Sequence, residues 1–457
     1  MKKGIIAVAI LALTIAIGTY VYIDLYPRYL LSQVGYNTKS IDAIVANDLK
    51  DIARDLPFSE SFEYMANTDK INAENAHYYL VTSSTQLQVE QVEELIPLYI
   101  QSGYSIEETQ ILINQLTYEQ NKFLLENEKI RSATILVEVL NTDITIEDAL
   151  FIAYFDEEIG RRIIDSNINL THLKQFAELN YTAEQVLDIH DSLSERDFEV
   201  ISNARYFEEL PELVKVESFK LANLARYIWR IRSNPNETYS DVVAYINDDK
   251  DYVASNQINW SSYYDVPTVA VPNPSSVLSL VNKQYQLSSS YTPSDLVYLS
   301  TTYRVNYQPL RQEASDAFVR FADAARAQGY SIKAGSNYRS YSAQNSIYNS
   351  YLNSDGRALA DSYSCRPGHS EHQTGLASDL SGGGRSFNYF DQYSGYQWTM
   401  DNIHNYGFVQ RFPKGKEYIT GISFESWHFR YVGVEHATIM KEYGWVLEEY
   451  AFIFTEI

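Results

Sequence analysis

The hydrophobic pattern of the chain changes its period near residue 250. From residue 30 to residue 250, apolar residues recur at the helical spacing i, i+3 and i+4 between Glu, Asp, Gln and Asn. The following stretch, residues 266–296, is rich in Pro, Ser and Val and has no helical period. A chain of 457 residues is long enough for two or more packed domains. The sequence therefore predicts an all-α region followed by a domain of a different class.

A short theme recurs within the helical region. Each copy indicates a helix end, a Gly or Asn, a Tyr, and a capping residue before the next helix. The three clearest copies are "QVGYNTKSIDAIV" (33–45), "QSGYSIEETQILI" (101–113) and "ELNYTAEQVLDI" (178–189). With weaker copies between them, the spacing is roughly that of helical-hairpin repeats. We expect residues 30–250 to form a helical, repeat-like region; an irregular helical domain with similar caps is the alternative.

The N-terminus has the pattern of a membrane anchor. Lys2 and Lys3 precede an uncharged run over residues 4–23, whose 20 residues at ~1.5 Å each match the ~30 Å hydrocarbon core of a bilayer. No small-x-small cleavage site follows the run, although a cleaved signal peptide is the alternative. Residues 1–29 are therefore predicted to be a single-pass anchor. Because the lysines stay inside, Leu25 onward is expected outside the cytoplasm.

Charge and cysteine content exclude some functions. The formal net charge of −23 argues against nucleic acid as a partner, because phosphate binding needs clustered cations. The same acidity disfavours polyanionic polymers as ligands of the helical region. Cys365 is the only cysteine, which excludes an intrachain disulfide and a four-cysteine zinc site.

The C-terminal part has a mixed pattern. Residues 251–290 are predicted to be a linker and an extended lead-in. An amphipathic helix over residues 313–330, a strand that continues into a loop over residues 331–340, and a second helix over residues 342–353 follow. This order indicates an α+β domain over residues 291–457.

Two spacings in this domain suggest a metal site. His372 and Asp379 form H-x6-D, and Glu425 and His428 form E-x-x-H. Imidazole nitrogen and carboxylate oxygen suit Zn²⁺, and a catalytic zinc uses three protein ligands with one open position. A carboxylate beside the ligands can take a proton from water in metal-assisted hydrolysis. On spacing alone, polar solvated loops remain the alternative.

The surrounding sequence resembles a known family. Four motifs occur in the family's order: "SNYRSYSAQ" (336–344), "RPGHSEHQTGLASDL" (366–380), "YGFVQRFPKGKEYITGI" (406–422) and "ESWHFRYVGVEHA" (425–437). They are similar to VanY-type D-alanyl-D-alanine carboxypeptidases and their zinc LD-carboxypeptidase relatives, which trim peptidoglycan stem peptides. The resemblance covers roughly residues 274–450, or about 40% of the chain.

The resemblance implies a compact α+β domain with a small antiparallel sheet, helices and one Zn²⁺. The zinc ligands would be His372, Asp379 and His428, and Glu425 would be the catalytic base. Arg339 would bind the substrate or oppose the negative charge that develops in the transition state. A structural salt bridge is the alternative for Arg339.

Gln344 and Ser370 match positions of the family that face the substrate, with helix-surface and turn-capping roles as alternatives. His369 is expected in a solvated turn, and Cys365 is expected to be an unreactive small side chain. Ser426 replaces a proline that is common in the family, which predicts a looser turn around Glu425.

The sequence thus predicts a membrane-anchored zinc carboxypeptidase on the extracytoplasmic side of the cell membrane. It would remove the terminal D-alanine of peptidoglycan stem peptides, as a D,D- or an L,D-carboxypeptidase. A catalytically silent cell-wall scaffold and a peptidoglycan endopeptidase are the alternatives. The helical region is expected to act as a spacer or to bind an unidentified protein or cell-wall component.

Overall fold

The computed structural model describes residues 25–127, 129–142, 144–250 and 258–455. The predicted anchor run, residues 4–23, lies outside the described residues. Within the described ranges, no helix combines the length and the apolar character needed to cross a bilayer.

The chain divides into two compact units, Met1–Thr171 and His172–Ile457. The described secondary structure of the first unit is helical. Its α-helices are α1 (Tyr26–Val34), α2 (Thr38–Ala46), α3 (Lys50–Asp55), α4 (Glu60–Asn67), α5 (Ala76–Val81), α6 (Val89–Gln101), α7 (Ile106–Gln115), α8 (Tyr118–Leu125), α9 (Ala133–Leu140), α10 (Ile146–Ala153) and α11 (Glu157–Ser166). Helix α12 (Leu170–Glu178) crosses the division between the units.

The recurrent theme has one local structure in its three clearest copies. Each tyrosine follows a Gly or Asn with positive φ. The residue after the tyrosine caps the next helix, and its side chain accepts the backbone N–H of the residue three positions later. Each buried tyrosine hydroxyl accepts a backbone N–H from 23 or 26 residues further along the chain. These pairs are Tyr36 with Ser59 (3.0 Å), Tyr104 with Ile130 (3.4 Å) and Tyr181 with Phe207 (2.7 Å). The tyrosine therefore ties each copy to the helices that follow it.

The second unit combines helices with short sheets. Its remaining α-helices are α13 (Ala183–Ser192), α14 (Glu195–Ile201), α15 (Leu210–Leu213), α16 (Leu224–Ser233), α17 (Tyr239–Asn247), α18 (Gln312–Ala327), α19 (Tyr341–Asp355), α20 (Arg357–Tyr363), α21 (Tyr396–Asn402), α22 (Glu417–Thr420), α23 (Val434–Tyr443) and α24 (Leu447–Phe454). Its strands are β1 (Val269–Ala270), β2 (Tyr285–Gln286), β3 (Leu296–Val297), β4 (Leu310–Arg311), β5 (Ile332–Ser336), β6 (Ala377–Gly382), β7 (Phe408–Gln410) and β8 (His428–Tyr431).

The division of the chain differs from the predicted boundary at residue 250. Residues 172–250 pack in the same unit as the α+β domain. The indole Nε1 of Trp445 donates to the carbonyl of Ala222 at 2.8 Å, and the ring of Trp229 lies 5.3 Å from that of Phe452. Helical periodicity predicts that one face of a helix is apolar, but it does not predict which partner covers that face. In the structure, α16 packs against α24.

Strands β5, β6, β8 and β7 form, in that order, one fully antiparallel sheet. Helix α18 contributes the fully buried Phe318 and Phe321 to a core that also contains Leu380 of β6 and Phe429 of β8. A small antiparallel sheet packed with helices is therefore confirmed for the C-terminal domain. The sheet places Asp379 directly opposite His428.

The segment over residues 258–290 is the predicted lead-in and not a free linker. Strands β1 and β2 pair in parallel, and Val271, Val281 and Leu287 form a small buried cluster. The N–H of Leu287 donates to the carbonyl of Gly368 at 2.8 Å. Gly368 has a φ of +88°, and a Cβ there would lie 2.8 Å from the Gln286 side chain. The lead-in therefore packs directly against the turn that precedes His372.

Candidate metal centre

The turn before β6 fixes the ring of His372. His372 lies in the single-turn 3₁₀ helix Glu371–Thr374, and its Nδ1 is 2.7 Å from the carbonyl oxygen of Asn337. A carbonyl can only accept, so Nδ1 carries the proton and Nε2 keeps its lone pair. That nitrogen lies 3.5 Å from Oδ2 of Asp379. The ring is therefore oriented as a metal ligand through Nε2.

Asp379 and His428 complete a cluster of three buried ligand atoms. Oδ1 of Asp379 is 3.1 Å from Nδ1 of His428 across the β6–β8 pair. One ligand atom from each of His372, Asp379 and His428 lies within 4.8 Å of the other two. Lone pairs that converge in a buried site repel one another unless a cation or a proton lies between them. Two nitrogens and one carboxylate oxygen fit Zn²⁺ with an open coordination position.

In the metal-free protein, burial and the close contacts among these groups shift their pKa values. Burial lowers the pKa of His428, but its hydrogen bonds with carboxylates outweigh burial and raise that pKa to about 9. Burial would raise the pKa of Asp379, yet His372 and His428 hold it well below its usual range. Burial and the nearby charge of Arg339 lower the pKa of His372. A proton on His428 thus compensates the Asp379 carboxylate when no metal is bound.

Glu425 lies beside the cluster on the turn before β8. Its Oε2 is 3.7 Å from Nδ1 of His428, and the residue is 8% exposed. Burial raises the pKa of Glu425 to about 8. The hydroxyl of Ser426 accepts the N–H of Asp391 at 3.3 Å, and the N–H of Glu425 donates to the carbonyl of Phe412 at 3.1 Å. The turn is held at both residues.

Arg339 faces the same site from the loop after β5. Its N–H donates to the carbonyl of His372 at 3.0 Å, and its guanidinium donates to Ser336 Oγ at 3.1 Å and to Gln344 Oε1 at 2.8 Å. Gln344 is buried and also donates to the carbonyl of Cys365 at 2.7 Å. The guanidinium has no carboxylate partner among the described ion pairs, which disfavours the salt-bridge alternative. Gln344 orients Arg339.

Other residues singled out in the sequence lie around this cluster. Ser370 is buried in the turn next to His372. His369 is also buried, with Nδ1 2.8 Å from the carbonyl oxygen of Asn282, so the expectation of a solvated histidine is wrong. Burial raises the pKa of the Cys365 thiol to about 12, as expected of an unreactive side chain. The Nδ1 of His436 is 2.8 Å from the hydroxyl of Tyr450, which indicates a packing role.

Sequence reasoning missed two residues that hold the ligands. Asn337 is fully buried; its carbonyl accepts from His372, and its side chain accepts the hydroxyl of Ser378 at 2.7 Å. Glu371 is buried beneath His428, where Arg411 and Arg430 overcome the effect of burial and hold its pKa well below the usual range. Both residues lie inside the recognised motifs, but only the fold shows which groups they contact.

Comparison with known proteins assigns the family. The sequence profile of VanY, D-alanyl-D-alanine carboxypeptidase, matches residues 307–434. YodJ of Bacillus subtilis is 40% identical over 187 residues, which are 39% of this chain and 68% of YodJ. The chain belongs to the VanY family. The bifunctional D-Ala-D-Ala dipeptidase and D-Ala-D-Ala carboxypeptidase VanXYC of Enterococcus gallinarum is 32% identical over 179 residues, covering 38% of this chain and 92% of VanXYC.

Two solved structures are also similar to part of this chain. The LdcB LD-carboxypeptidase has 38% sequence identity and a TM-score of 0.40, and the match covers 43% of this chain and 98% of LdcB. The vancomycin resistance D,D-pentapeptidase VanY in complex with Zn(II) has 33% identity and a TM-score of 0.34, and the match covers 38% of this chain and 98% of that chain.

Proposed function

We propose that this chain is a zinc carboxypeptidase that removes the terminal D-alanine from peptidoglycan stem peptides. One observation carries the proposal: His372, Asp379 and His428 converge in a buried cluster with Glu425 alongside. Membership in the VanY family and the Zn(II) complex of a relative support zinc as the metal. Relatives named as a D-alanyl-D-alanine carboxypeptidase and as an LD-carboxypeptidase leave both specificities open.

Glu425 is placed to move the proton in this reaction. When bound, Zn²⁺ lowers the pKa of water and polarises the scissile carbonyl. Glu425 would accept the proton of the attacking water and then deliver it to the departing amine of D-alanine. Its Oε2 lies 3.7 Å from His428 Nδ1, so the carboxylate would lie beside an ion held by His372, Asp379 and His428.

Arg339 would act on the carbonyl oxygen or on the terminal carboxylate. Arg339 is partly exposed, whereas Gln344 and Ser336, which accept from its guanidinium, are buried. A fixed guanidinium opposes negative charge as it develops and binds a carboxylate through two parallel hydrogen bonds. Ser370, next to His372, would line the same pocket.

Release of D-alanine by the full chain tests this function. A pentapeptide, a tetrapeptide and a cross-linked dimer would each be incubated with zinc-loaded protein, with and without a chelator. Chelator-sensitive release from the pentapeptide assigns D,D specificity, and release from the tetrapeptide assigns L,D specificity. Cleavage of the dimer alone assigns an endopeptidase, and bound zinc without turnover of any substrate indicates a silent scaffold.

We also propose that residues 1–29 anchor the enzyme with its catalytic unit outside the cytoplasm. The support is Lys2 and Lys3 before the uncharged run over residues 4–23. Cell fractionation should place the full chain with membranes, and external protease should degrade the catalytic unit in intact protoplasts. A chain without residues 1–24, fused to a cleavable signal, should leave the membrane fraction. Membrane association that survives this deletion would overturn the anchor.

A further inference from the structure

Two buried polar atoms face each other on the side of His428 away from Asp379. Nε2 of His428 and Oε2 of Glu371 lie 3.5 Å apart. Neither atom has a hydrogen bond to any other group of the described residues. A buried donor or acceptor without a partner costs about 1–3 kcal/mol. The separation is at the outer limit of a hydrogen bond, so a movement of a few tenths of an ångström would satisfy both atoms.

Glu371 is held so that only one of its oxygens is free for His428. Its Oε1 accepts from Nε of Arg411 at 2.7 Å and from Nη1 of Arg430 at 2.8 Å. Arg411 also donates to both oxygens of Glu448, at 2.8 and 2.6 Å. Both arginines are at most 1% exposed. Two guanidiniums on one oxygen fix the carboxylate and leave Oε2 directed at the imidazole.

We propose that Glu371 is a positioning residue for the metal ligand His428. Its Oε2 accepts the Nε2–H of that ring and thereby keeps Nδ1 free to bind the ion. The inference rests on the proposed zinc site, and it assigns opposite nitrogens to the two histidine ligands. Asn337 holds the proton of His372 on Nδ1, and Glu371 holds the proton of His428 on Nε2.

The variant Glu371→Gln separates this role from simple charge neutralisation. The guanidiniums of Arg411 and Arg430 require an acceptor, so the amide oxygen would take the place of Oε1. The amide NH₂ would then face Nε2 of His428 and would donate to it. A donor at this position favours the tautomer with the proton on Nδ1, where the metal binds. Zinc affinity should fall by about 10- to 100-fold, the range found when such partners of ligands are removed.

The control is the neutralisation of another buried, ion-paired glutamate. Both oxygens of Glu449 are 2.9 Å from Nζ of Lys416, and Glu449 is fully buried. The Glu449 carboxylate contacts Lys416 and the backbone N–H of Val446, and neither of these residues is a candidate zinc ligand. Glu449→Gln should lower thermal stability and leave the zinc dissociation constant of the folded protein unchanged.

The measurement is chelator competition for zinc by the folded full chain. The visible absorption of the Co²⁺-substituted protein would also be recorded, since it reports ligand geometry. Weakened zinc binding and a changed Co²⁺ spectrum in Glu371→Gln, with neither change in Glu449→Gln, support the proposal. A folded Glu371→Gln protein with wild-type zinc affinity overturns it.

A measurement on the unmodified chain covers the case in which Glu371→Gln does not fold. Nitrogen-15 NMR of labelled histidines in the zinc-loaded protein should show one ring bound through Nε2 and one bound through Nδ1, the latter with a slowly exchanging Nε2–H. Two rings bound through Nε2 would contradict the proposal. If the unmodified chain binds no zinc, the proposed function itself fails, which is a different result.

Discussion

Oε1 of Gln344 accepts from the guanidinium of Arg339 at 2.8 Å, while the backbone N–H of Arg339 donates to the carbonyl of His372, a candidate zinc ligand. The arginine is therefore tied both to a buried amide and to the turn that carries a ligand. Its position relative to the cluster of His372, Asp379 and His428 is set by these contacts before any substrate arrives. Such preorganisation is what charge stabilisation in a transition state requires.

Arg339→Ala should lower kcat/KM for D-alanine release by about 100- to 1,000-fold, because the group that opposes developing charge is lost. Arg339→Lys should recover only part of the rate, since an ammonium lacks the planar fork. Gln344→Ala should have a smaller effect in the same direction, because the arginine is kept but is less fixed. Zinc content should equal that of the unmodified chain in all three variants. A wild-type rate for Arg339→Ala would contradict the assignment.

Glu425→Gln should keep zinc and lose activity. The amide nearly preserves the shape of the side chain but cannot accept the proton from water, so kcat should fall by about 100- to 10,000-fold. Metal analysis and D-alanine release check the two parts of the prediction. Glu417→Gln is the matched control, because Glu417 is another buried glutamate, which accepts the N–H of Gly415. A Glu425→Gln enzyme with full turnover would show that another group is the base.

Zinc binding should release protons at neutral pH. His428, with its pKa raised to about 9, is protonated at pH 7 in the metal-free protein, and its Nδ1 must lose the proton to bind zinc. Apparent zinc affinity should therefore rise with pH, by roughly tenfold per unit, and level off above about pH 9. Calorimetry in buffers of different ionisation enthalpy measures the number released. A binding enthalpy that is independent of buffer at pH 7 would exclude a protonated His428.

Phe207→Ala should destabilise the catalytic unit, although residue 207 lies in the helical part of the sequence. Phe207 is fully buried, with its ring centroid 5.5 Å from that of Phe452 in α24. The cavity should cost about 3–5 kcal/mol and lower the temperature at which D-alanine release is lost. Phe62→Ala is the control, because Phe62 is equally buried but belongs to the first unit. Equal loss of thermal tolerance in both variants would contradict the division at residue 171.

Local sequence signals predicted the helices well, and the resemblance to the VanY family implied the small antiparallel sheet. The Gly–Tyr–cap theme fixed helix ends through positive φ and side-chain caps, both of which depend only on neighbouring residues. The compact units divide after residue 171 and not at the predicted change of pattern near residue 250, because the division depends on packing between distant segments. The carbonyl of Ala222 meets Trp445 across 223 residues, and nothing in either local pattern encodes that contact.

For the candidate site, too, residues within sequence motifs could be predicted, whereas contacts between distant segments could not. The motif residues His372, Asp379, Glu425 and His428 were identified from spacing and resemblance, and the fold brings them together. The contacts of Gln344 and His369 could not be predicted from spacing or resemblance. Each depends on one hydrogen bond to a carbonyl from another segment, at Cys365 and Asn282 respectively.

The pairing of Asp379 with His428 across β6 and β8 has a consequence for preparing the protein. Side chains alternate between the faces of a sheet, so a slip of one residue between these strands would send one ligand to the opposite face. A misregistered molecule could still contain the expected secondary structure while lacking a complete zinc site. The molar ratio of bound zinc to protein therefore counts the correctly assembled sheets in a refolded sample, even for variants with no turnover.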